Sequence, residues 1–418
     1  MPLPFRIDPS LRTVTTVDPG VFIRAAFEGA PLAPLIAERL GALGSGEGDE
    51  GRLLELGLLF QLVGEKERAM LCQQAALEAC STYRQPGSSP PSLRLLALTT
   101  AGDLMANTPF ELMMEGRGVE VVKAYLSVDR PWPEAIADHD LVFMAVGESD
   151  EARPLLHQMA AVEDLLPRPI VNRASRVLEL ARDRLCHRLA DAPGVVCPPT
   201  VRVDREALAV VVQDRAQGGS FLADGAAVII RPVGSHAGKA LERIVDRDAL
   251  GAYLDEEPAA LFYVSPFVDY AGDDGLYRKY RIAFLGGRPF LCHMAVSEHW
   301  MVHYLNAGMA ESEAKRAQEQ AAMETFDGDF AHRHASNFRD LVDRVELDYF
   351  AIDCAELKDG SLLIFEADVA MIIHDFDPAD LYPYKKRQMR KVFDAFEAFL
   401  HAAAAGPQSE VALARARG

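Results

Sequence analysis

Apolar residues recur with helical spacing in the first part of the chain. Leucine or alanine returns every three or four residues in segments 32–43, 52–62 and 66–83, a period typical of amphipathic helices. Leucines form the apolar face of the second segment and alanines that of the third, so these two helices can approach closely. Residues 1 to about 30 contain four prolines and are expected to be irregular. The pattern predicts an N-terminal helical region over residues 1–90.

A different pattern begins after the Pro- and Ser-rich segment 85–91, which has the composition of a linker. Strand-length apolar runs follow at 93–99, 119–126, 140–146 and 170–172, with helical segments at 109–115 and 151–166. Strands that alternate with helices are typical of a parallel sheet. Residues 91–173 are therefore predicted to form an α/β domain.

The remainder, residues 174–405, is predicted to form a larger domain that mixes helices and hairpins. The predicted strands lie at 226–232, 260–268, 279–285, 288–296, 349–357 and 361–368. The predicted helices lie at 174–189, 205–216, 311–323, 338–347 and 384–404. Lys358–Asp359–Gly360 is a tight-turn sequence and predicts a hairpin between the last two strands. The fold class is therefore α/β (α+β), and residues 406–418 are expected to be a mobile tail.

Charge excludes several classes of partner. The 418 residues include 43 basic and 62 acidic ones, so the net charge is 43 − 62 = −19 at pH 7. Nucleic-acid binders and proteins that dock on anionic lipid need basic surface, so neither partner is expected, whereas a local cluster of Arg and Lys suffices for a nucleotide. No apolar run reaches membrane-spanning length, and no secretory signal is recognisable. The six cysteines include no C-x-x-C pair, which indicates reduced thiols and a cytoplasmic protein.

The first candidate motif is the loop that follows an apolar strand at residues 230–239. Its glycines would let backbone N–H groups approach phosphate oxygens, and Arg231 and Lys239 add positive charge. It is not a Walker A loop, because Gly234 and Gly238 are one residue too close and the residue after the lysine is alanine. Taken alone, the loop fits an ordinary hairpin connection better than a phosphate site.

The second candidate is a set of three carboxylates on two adjacent predicted strands. Asp353 interrupts an apolar strand, and Glu366 and Asp368 share one face of the next strand because side chains alternate. A hairpin would place all three together, where they would repel one another unless a cation joined them. Solvent-facing acids would explain the set less well, since both strands are largely apolar. The pattern favours a magnesium site, because magnesium prefers oxygen ligands.

The third candidate is the segment 278–309. Alternation places Lys279 and Arg281 on one face, and such cations beside carboxylates suggest contact with nucleotide phosphates. His299 and His303 have helical i, i+4 spacing, but Trp300 stands where a zinc metalloprotease needs Glu, so zinc is not expected. The aromatic and histidine side chains of this segment fit either an acceptor pocket or simple packing: His299, Trp300, His303 and Tyr304.

In their order along the chain, these pieces resemble the ATP-grasp superfamily, and in particular its RimK-like and glutathione-synthetase-like carboxylate–amine ligases. The resemblance covers about residues 93–400 and implies an ATP-grasp fold over 174–405, preceded by the α/β domain. Arg182–Leu185 followed by Pro198–Thr200 is similar to the opening helix and strand of the grasp. The helical region 1–90 lies outside the resemblance and is similar to one tetratricopeptide-like helical pair.

The resemblance also implies roles for individual residues. The positions implied to bind ATP are Arg184, Arg231, Ser235, His236, Lys239, Ser265, Phe267, Val268, Lys279 and Arg281. Arg231 and Arg281 would also be catalytic, because they would offset charge during phosphoryl transfer. Asp353, Glu366 and Asp368 match the Asp … Glu-x-Asn metal set and would hold Mg²⁺, or Mn²⁺. The family has lysines where Arg184 and Arg231 stand, and Asn where Asp368 stands.

The implied activity is ATP-dependent ligation of a carboxylate to an amine through an acylphosphate, on an amino acid or a small-molecule or peptide substrate. A homodimer is also expected. Two alternatives stay open at the level of sequence: an ATP-dependent kinase, and a catalytically inactive nucleotide-binding interaction protein.

Overall fold

The computed structural model describes residues 5–44, 48–213, 227–235 and 238–406. The predicted loop residue His236 and the predicted tail beyond Gly406 lie outside these ranges. The described residues form a mixed α/β structure, which confirms the predicted fold class.

The first ninety residues fold mainly as helices. Their elements are β1 (Arg6–Ile7), β2 (Val14–Thr15), α1 (Pro19–Phe27), α2 (Ala33–Ala42), α3 (Asp49–Leu62), α4 (Lys66–Ala79) and β3 (Thr82–Gln85). The close approach expected of α3 and α4 is present, because Gly57 faces α4. A Cβ atom at Gly57 would lie 3.3 Å from the backbone oxygen of Ala69.

Two predictions for this region are wrong. Residues 19–27 form α1 instead of irregular chain, because Asp18 caps the helix by accepting a hydrogen bond from Gly20 N at 2.8 Å. The third predicted helix ends before Tyr83, which belongs to β3 and is fully buried there.

A six-stranded sheet follows the helices. Its region contains β4 (Leu93–Thr100), α5 (Glu111–Met114), β5 (Val119–Leu126), β6 (Ala135–Ile136), β7 (Leu141–Met144), α6 (Arg153–Ala160) and β8 (Ile170–Val171). The order is β2-β3-β5-β4-β7-β8, and the four strands from β5 to β8 are parallel, as the strand–helix alternation predicts. β3 pairs antiparallel with β5, so the N-terminal region supplies two strands to this sheet.

A four-stranded antiparallel sheet comes next. Its region contains α7 (Ala174–Val177), α8 (Arg182–Leu189), β9 (Val195–Val196), β10 (Val201–Asp204), α9 (Arg205–Gln213), β11 (Val228–Pro232), β12 (Glu242–Ile244), α10 (Arg247–Glu256) and β13 (Leu261–Pro266). The order is β10-β13-β11-β12, and a small apolar core that includes Leu208 and Phe262 fills the space under α9 and α10. The single helix predicted over 174–189 is in fact α7 and α8, separated by a 3-10 turn at Leu178–Leu180.

A five-stranded sheet completes the structure. Its region contains β14 (Tyr277–Leu285), β15 (Arg288–Ser297), α11 (Glu313–Thr325), α12 (Phe330–Arg333), α13 (Ala335–Val345), β16 (Tyr349–Glu356), β17 (Leu362–Asp368) and α14 (Lys385–Ala404). The order is β15-β14-β16-β17-β9. The pairing register places Arg281 opposite Asp353, and Asp353 opposite Glu366. Three charged residues therefore lie in a row across three strands.

The six-stranded and five-stranded sheets share one apolar core. The rings of Phe143 and Tyr349 lie 5.9 Å apart, and Phe396 of α14 packs on both. Asn172 joins the two sheets by exchanging hydrogen bonds with the backbone N and O of Tyr349, both at 2.9 Å. No helix among the described residues combines the length and apolar character that crossing a bilayer requires.

Candidate functional site

A cavity of about 500 Å³ lies between the four-stranded and five-stranded sheets. Its volume falls in the range of small-molecule and cofactor sites, roughly 300–1,000 Å³. One part is lined by apolar and aromatic side chains, and the other by seven charged residues: Arg182, Arg231, Lys279, Arg281, Asp353, Glu366 and Asp368. All but Arg182 were predicted as site residues from the sequence.

Asp353 is the most buried of these charged groups, with 1% of its surface exposed. Lys279 Nζ lies 2.9 Å from Asp353 Oδ2, and Arg281 makes two bonds to the same carboxylate, at 2.8 Å from Nε and 3.0 Å from Nη2. Burial alone would raise the pKa of Asp353, but Arg281 and Lys279 hold the pKa well below its usual range. Asp353 is therefore ionised and fixes both cations at the cavity wall.

Glu366 stands next to this group and is paired with Arg182, the first residue of α8. Arg182 also donates to the backbone oxygen of Phe365 at 3.0 Å. Burial and the charge of Asp353 each act to raise the pKa of Glu366, but Arg182 and Arg231 keep it below its usual value. A second carboxylate is thus held ionised by cations of the chain.

The predicted site residue Arg184 does not reach the cavity. It pairs with Glu179 at 3.2 Å, and Arg182 lines the cavity in its place. Residues two apart on a helix point to nearly opposite sides, because each residue turns by about 100°. The sequence analysis chose the correct helix but the wrong arginine, Arg184 instead of Arg182. The break between α7 and α8 sets the orientation of α8 and so decides which arginine faces the cavity.

Arg231 is the last residue but one of β11 and lines the same cavity, as predicted. Its guanidinium Nε donates to Ser235 Oγ at 3.1 Å, which orders the chain after β11. Burial and the nearby charge of Arg182 lower the pKa of Arg231 to about 10. Lys239 is exposed and lies outside the cavity lining. The chain here therefore brings Arg231 to the cavity and Ser235 to a smaller adjoining one, but leaves Lys239 at the surface.

Asp368 differs from the other two carboxylates because no cation pairs with it. Its side chain accepts a hydrogen bond from Ala370 N at 2.9 Å, and it has no ion-pair partner in the described part of the chain. Burial, with repulsion from Glu366 and Glu148, raises the pKa of Asp368 to about 6. Arg182 lies near enough to lower this pKa in part, but it forms no ion pair with Asp368, so the charge of an ionised Asp368 is only partly compensated.

These carboxylates suit magnesium by chemistry, although their present contacts are with cations of the chain. Across residues 5–44, 48–213, 227–235 and 238–406, no three His, Cys, Asp or Glu side chains are arranged as ligands of one metal ion. Asp353 is held by Lys279 and Arg281, and Glu366 by Arg182. Of the three carboxylates, Asp368 is the one without an ion-pair partner among the described residues, and a divalent cation would relieve its charge. The carboxylate oxygens suit the predicted ion by their chemistry and not by their present arrangement, and magnesium binding stays a prediction.

Replacing Asp368 by Asn is expected to stabilise the ligand-free protein at pH 8 by about 1–3 kcal/mol, because a shift of one pKa unit is worth about 1.4 kcal/mol. A carboxyl group whose pKa is raised on folding lowers stability once it ionises, so the gain should be full above pH 6 and vanish towards pH 4. Urea unfolding of Asp368→Asn and the parent at several pH values measures it. The exposed Asp380→Asn is the control, and a gain that does not depend on pH would contradict the expected charge of Asp368.

The apolar part of the cavity is lined by the end of β13 and by residues 300–303. Ser265, Phe267 and Val268 lie there as predicted, and the ring of Phe267 meets Trp300 edge-on at 5.7 Å. His299 and His303 do not share a helix face, because residues 299–303 form an irregular segment. Trp300 and His303 line the cavity, whereas His299 does not. An aromatic, largely apolar chamber of this kind suits a flat ring.

A smaller cavity of about 70 Å³ adjoins the charged end. It shares Arg182, Arg231, Glu366 and Asp368 with the larger one and adds the turn after β7, residues 148–150. Sequence reasoning missed Arg182 and did not assign this turn a role. The only available signals were the Arg182–Leu185 helix start and the polar turn at the end of a parallel strand.

No family model matches the chain, and no curated protein matches it. Solved structures do resemble it. A RimK domain ATP-grasp protein from Sphaerobacter thermophilus is 16% identical, with 73% of this chain and 99% of that chain covered and a TM-score of 0.41. A D-alanine–D-alanine ligase from Bacillus anthracis, solved with ATP, is 10% identical over 75% and 97% of the two chains, with a TM-score of 0.43.

A third structure, D-alanyl-alanine synthetase A from Vibrio cholerae, is 9% identical over 75% of this chain and 99% of that chain, with a TM-score of 0.44. The Sphaerobacter protein is a member of the family that the sequence motifs resemble. At such low identities and TM-scores, a function for this chain has to come from the residues of its own cavity.

Proposed function

We propose that the chain is an ATP-grasp enzyme, an ADP-forming ligase that joins a carboxylate to an amine. One observation carries the proposal: a cavity between the four-stranded and five-stranded sheets has an aromatic chamber at one end and four cations beside three carboxylates at the other. Such a cavity is complementary to a nucleotide, with a flat base at one end and charged phosphates at the other.

The charged end favours an anion. Four cations and three carboxylates line it, so its formal charge is 4 − 3 = +1. The lowered pKa of Arg231 reflects burial and crowding with Arg182, and a phosphate group would relieve that repulsion. We place the triphosphate against Arg231, Lys279 and Arg281, and the base between Phe267 and the apolar residues of β17. The carboxylates would hold magnesium, which shields negative charge on the phosphates when it is bound.

The proposed reaction has two steps. A carboxylate oxygen of the acid attacks the γ-phosphorus of ATP, the bond to the bridging oxygen breaks, and ADP leaves. The amine then attacks the acyl carbon, phosphate leaves with the former carboxylate oxygen, and the amine proton passes to solvent. Arg231 and Arg281 would offset the charge that develops on the transferred group, since buried, fixed cations are effective at this task. The acid and the amine would meet at the charged end, where the small cavity beside Asp368 adjoins the larger one.

The experiment is an ADP-release assay with a panel of carboxylic acids and amines, including amino acids, with the products identified by mass spectrometry. A ligase releases ADP only when acid and amine are both present and forms an equal amount of amide. A phosphorylated product with no amide would instead support a kinase. Binding of ATP without ADP release for any pair would refute both enzymes.

One observation favours the inactive alternative, in which the chain binds nucleotide without turnover. Asp353 and Glu366 are already neutralised by Lys279, Arg281 and Arg182, so binding magnesium there requires these cations to move or to transfer their contacts to phosphate. The ADP-release assay separates this case from the ligase.

A paired substitution tests where the phosphates lie. Arg182→Met should weaken ATP binding at least tenfold, because it removes a cation from the cavity wall, whereas Arg184→Met should change it by less than twofold. Isothermal titration of both variants with ATP and magnesium gives the comparison. Equal losses, or a larger loss for Arg184→Met, would show that the triphosphate does not lie at the charged end of the cavity.

A further inference from the structure

The cavity wall at residues 300–303 is held at both ends by tyrosine hydroxyl groups. At its start, the hydroxyl of Tyr270 donates to the backbone oxygen of Trp300. At its end, Tyr304 begins a short 3-10 turn and does not line the cavity. The position of this wall therefore depends on what holds Tyr304.

Tyr304 is held by a buried ion pair. Its hydroxyl donates to Glu319 Oε2 at 3.2 Å and accepts a hydrogen bond from Lys385 Nζ, which also lies 4.0 Å from the centre of its ring. Lys385 Nζ lies 3.2 Å from Glu319 Oε1. Glu319 is 0% exposed and Lys385 is 3% exposed, so this pair lies inside the protein, away from solvent.

Lys385 also reaches the second wall of the cavity. Its ammonium group lies 3.1 Å from Asp377 Oδ2. Asp377 follows Met371 and Ile372, which line the cavity, and Arg281 donates to the backbone oxygen of Ile372 at 3.1 Å. A single side chain from the first turn of α14 thus ties together two segments that are far apart in sequence and that both line the site.

A buried ion pair is poorly explained by stability alone, because the cost of removing two charges from water can equal their attraction. Apolar side chains of similar size could fill the same space between α11 and α14. What the ion pair provides is directional bonds to three groups from separate segments, which fixes their relative positions.

We propose that Lys385 is a positioning residue that fixes the two cavity walls, residues 300–304 and 371–377, and thereby sets the affinity for nucleotide. The part that concerns nucleotide rests on the proposed function, whereas the part that concerns the walls does not. The chain contains two tryptophans, Trp132 and Trp300, so a Trp132→Phe background leaves Trp300 as a fluorescent probe of the first wall.

The test compares Lys385→Met with Lys386→Met in that background. Lys386 is exposed on the same turn of α14, so its substitution removes the same charge without touching the ion pair. Lys385→Met is expected to increase acrylamide quenching of Trp300 at least twofold. It should raise the KM for ATP about tenfold and lower kcat by less than threefold. Lys386→Met should leave all three values unchanged.

Two further variants keep the test decisive if Lys385→Met folds poorly. Tyr304→Phe removes the hydroxyl that connects the first wall to the pair, and it should reproduce the increase in quenching. Tyr384→Phe removes a different bond to the same carboxylate, from Tyr384 to Glu319 Oε2 at 2.7 Å, and should not. Equal quenching of Trp300 in all variants would overturn the proposal. If quenching increases in the variants but even the parent protein turns over no ATP, the role of Lys385 in fixing the first wall is confirmed and only the ligase is refuted.

Discussion

Glu366→Gln is expected to lower acceptor-dependent ADP release by at least about 100-fold while binding of magnesium-free ATP becomes tighter. The two effects have one cause. The substitution removes a negative charge from the cavity wall, so the formal charge of the wall changes from +1 to +2 and Arg182 loses its ionic partner. Free ATP should gain from the extra positive charge, whereas turnover should suffer, because the predicted magnesium set loses a charged ligand.

Glu356→Gln is the matched control for this prediction. Glu356 ends β16 and pairs with Arg333 and His334, and it does not line the cavity. It should keep both turnover and ATP affinity. Full turnover by Glu366→Gln would show that the carboxylates of β17 do not take part in the reaction.

Arg281→Met is expected to reduce both folding stability and nucleotide binding. Arg281 makes two of the three side-chain bonds to Asp353, which is almost completely buried. Breaking a buried ion pair by removing one partner costs about 3–5 kcal/mol, because it leaves a buried charge poorly compensated. Binding of ATP should fall at least 100-fold, since Arg281 is also one of the cations that we place against the triphosphate.

Arg288→Met controls for the loss of an arginine from the same hairpin. Arg288 lies at the far end of β15, where its guanidinium group is 4.8 Å from the ring of Phe290. Urea unfolding should show a small loss for Arg288→Met and a large one for Arg281→Met. A loss below about 1 kcal/mol for Arg281→Met would mean that Lys279 alone compensates Asp353.

Local sequence patterns were enough to predict much of the candidate site. Alternation along single strands placed Lys279 with Arg281, and Glu366 with Asp368, and the structure brings each pair to the same cavity. The hairpin turn before β17 was enough to place Asp353 beside Glu366. In each case the spacing within a strand, or across a tight turn, determines which side chains share a face.

Contacts between distant segments could not be predicted in this way. The pairing of β14 with β16 joins residues about 70 positions apart, so the ion pairs of Asp353 were not visible in any local pattern. Arg182 was missed because the break before α8 depends on how α7 packs, and not on helical period. The domain boundaries, the dimer and the cytoplasmic location stay predictions.

The most direct test of the proposed function uses an acid labelled with ¹⁸O in both carboxylate oxygens, paired with an amine that supports ADP release. If an acylphosphate forms, the carboxylate oxygen that attacked the γ-phosphorus leaves with phosphate. Mass spectrometry should then find one ¹⁸O atom in each released phosphate and one in the amide. Unlabelled phosphate, released together with ADP, would contradict activation of the carboxylate and with it the assignment as a ligase.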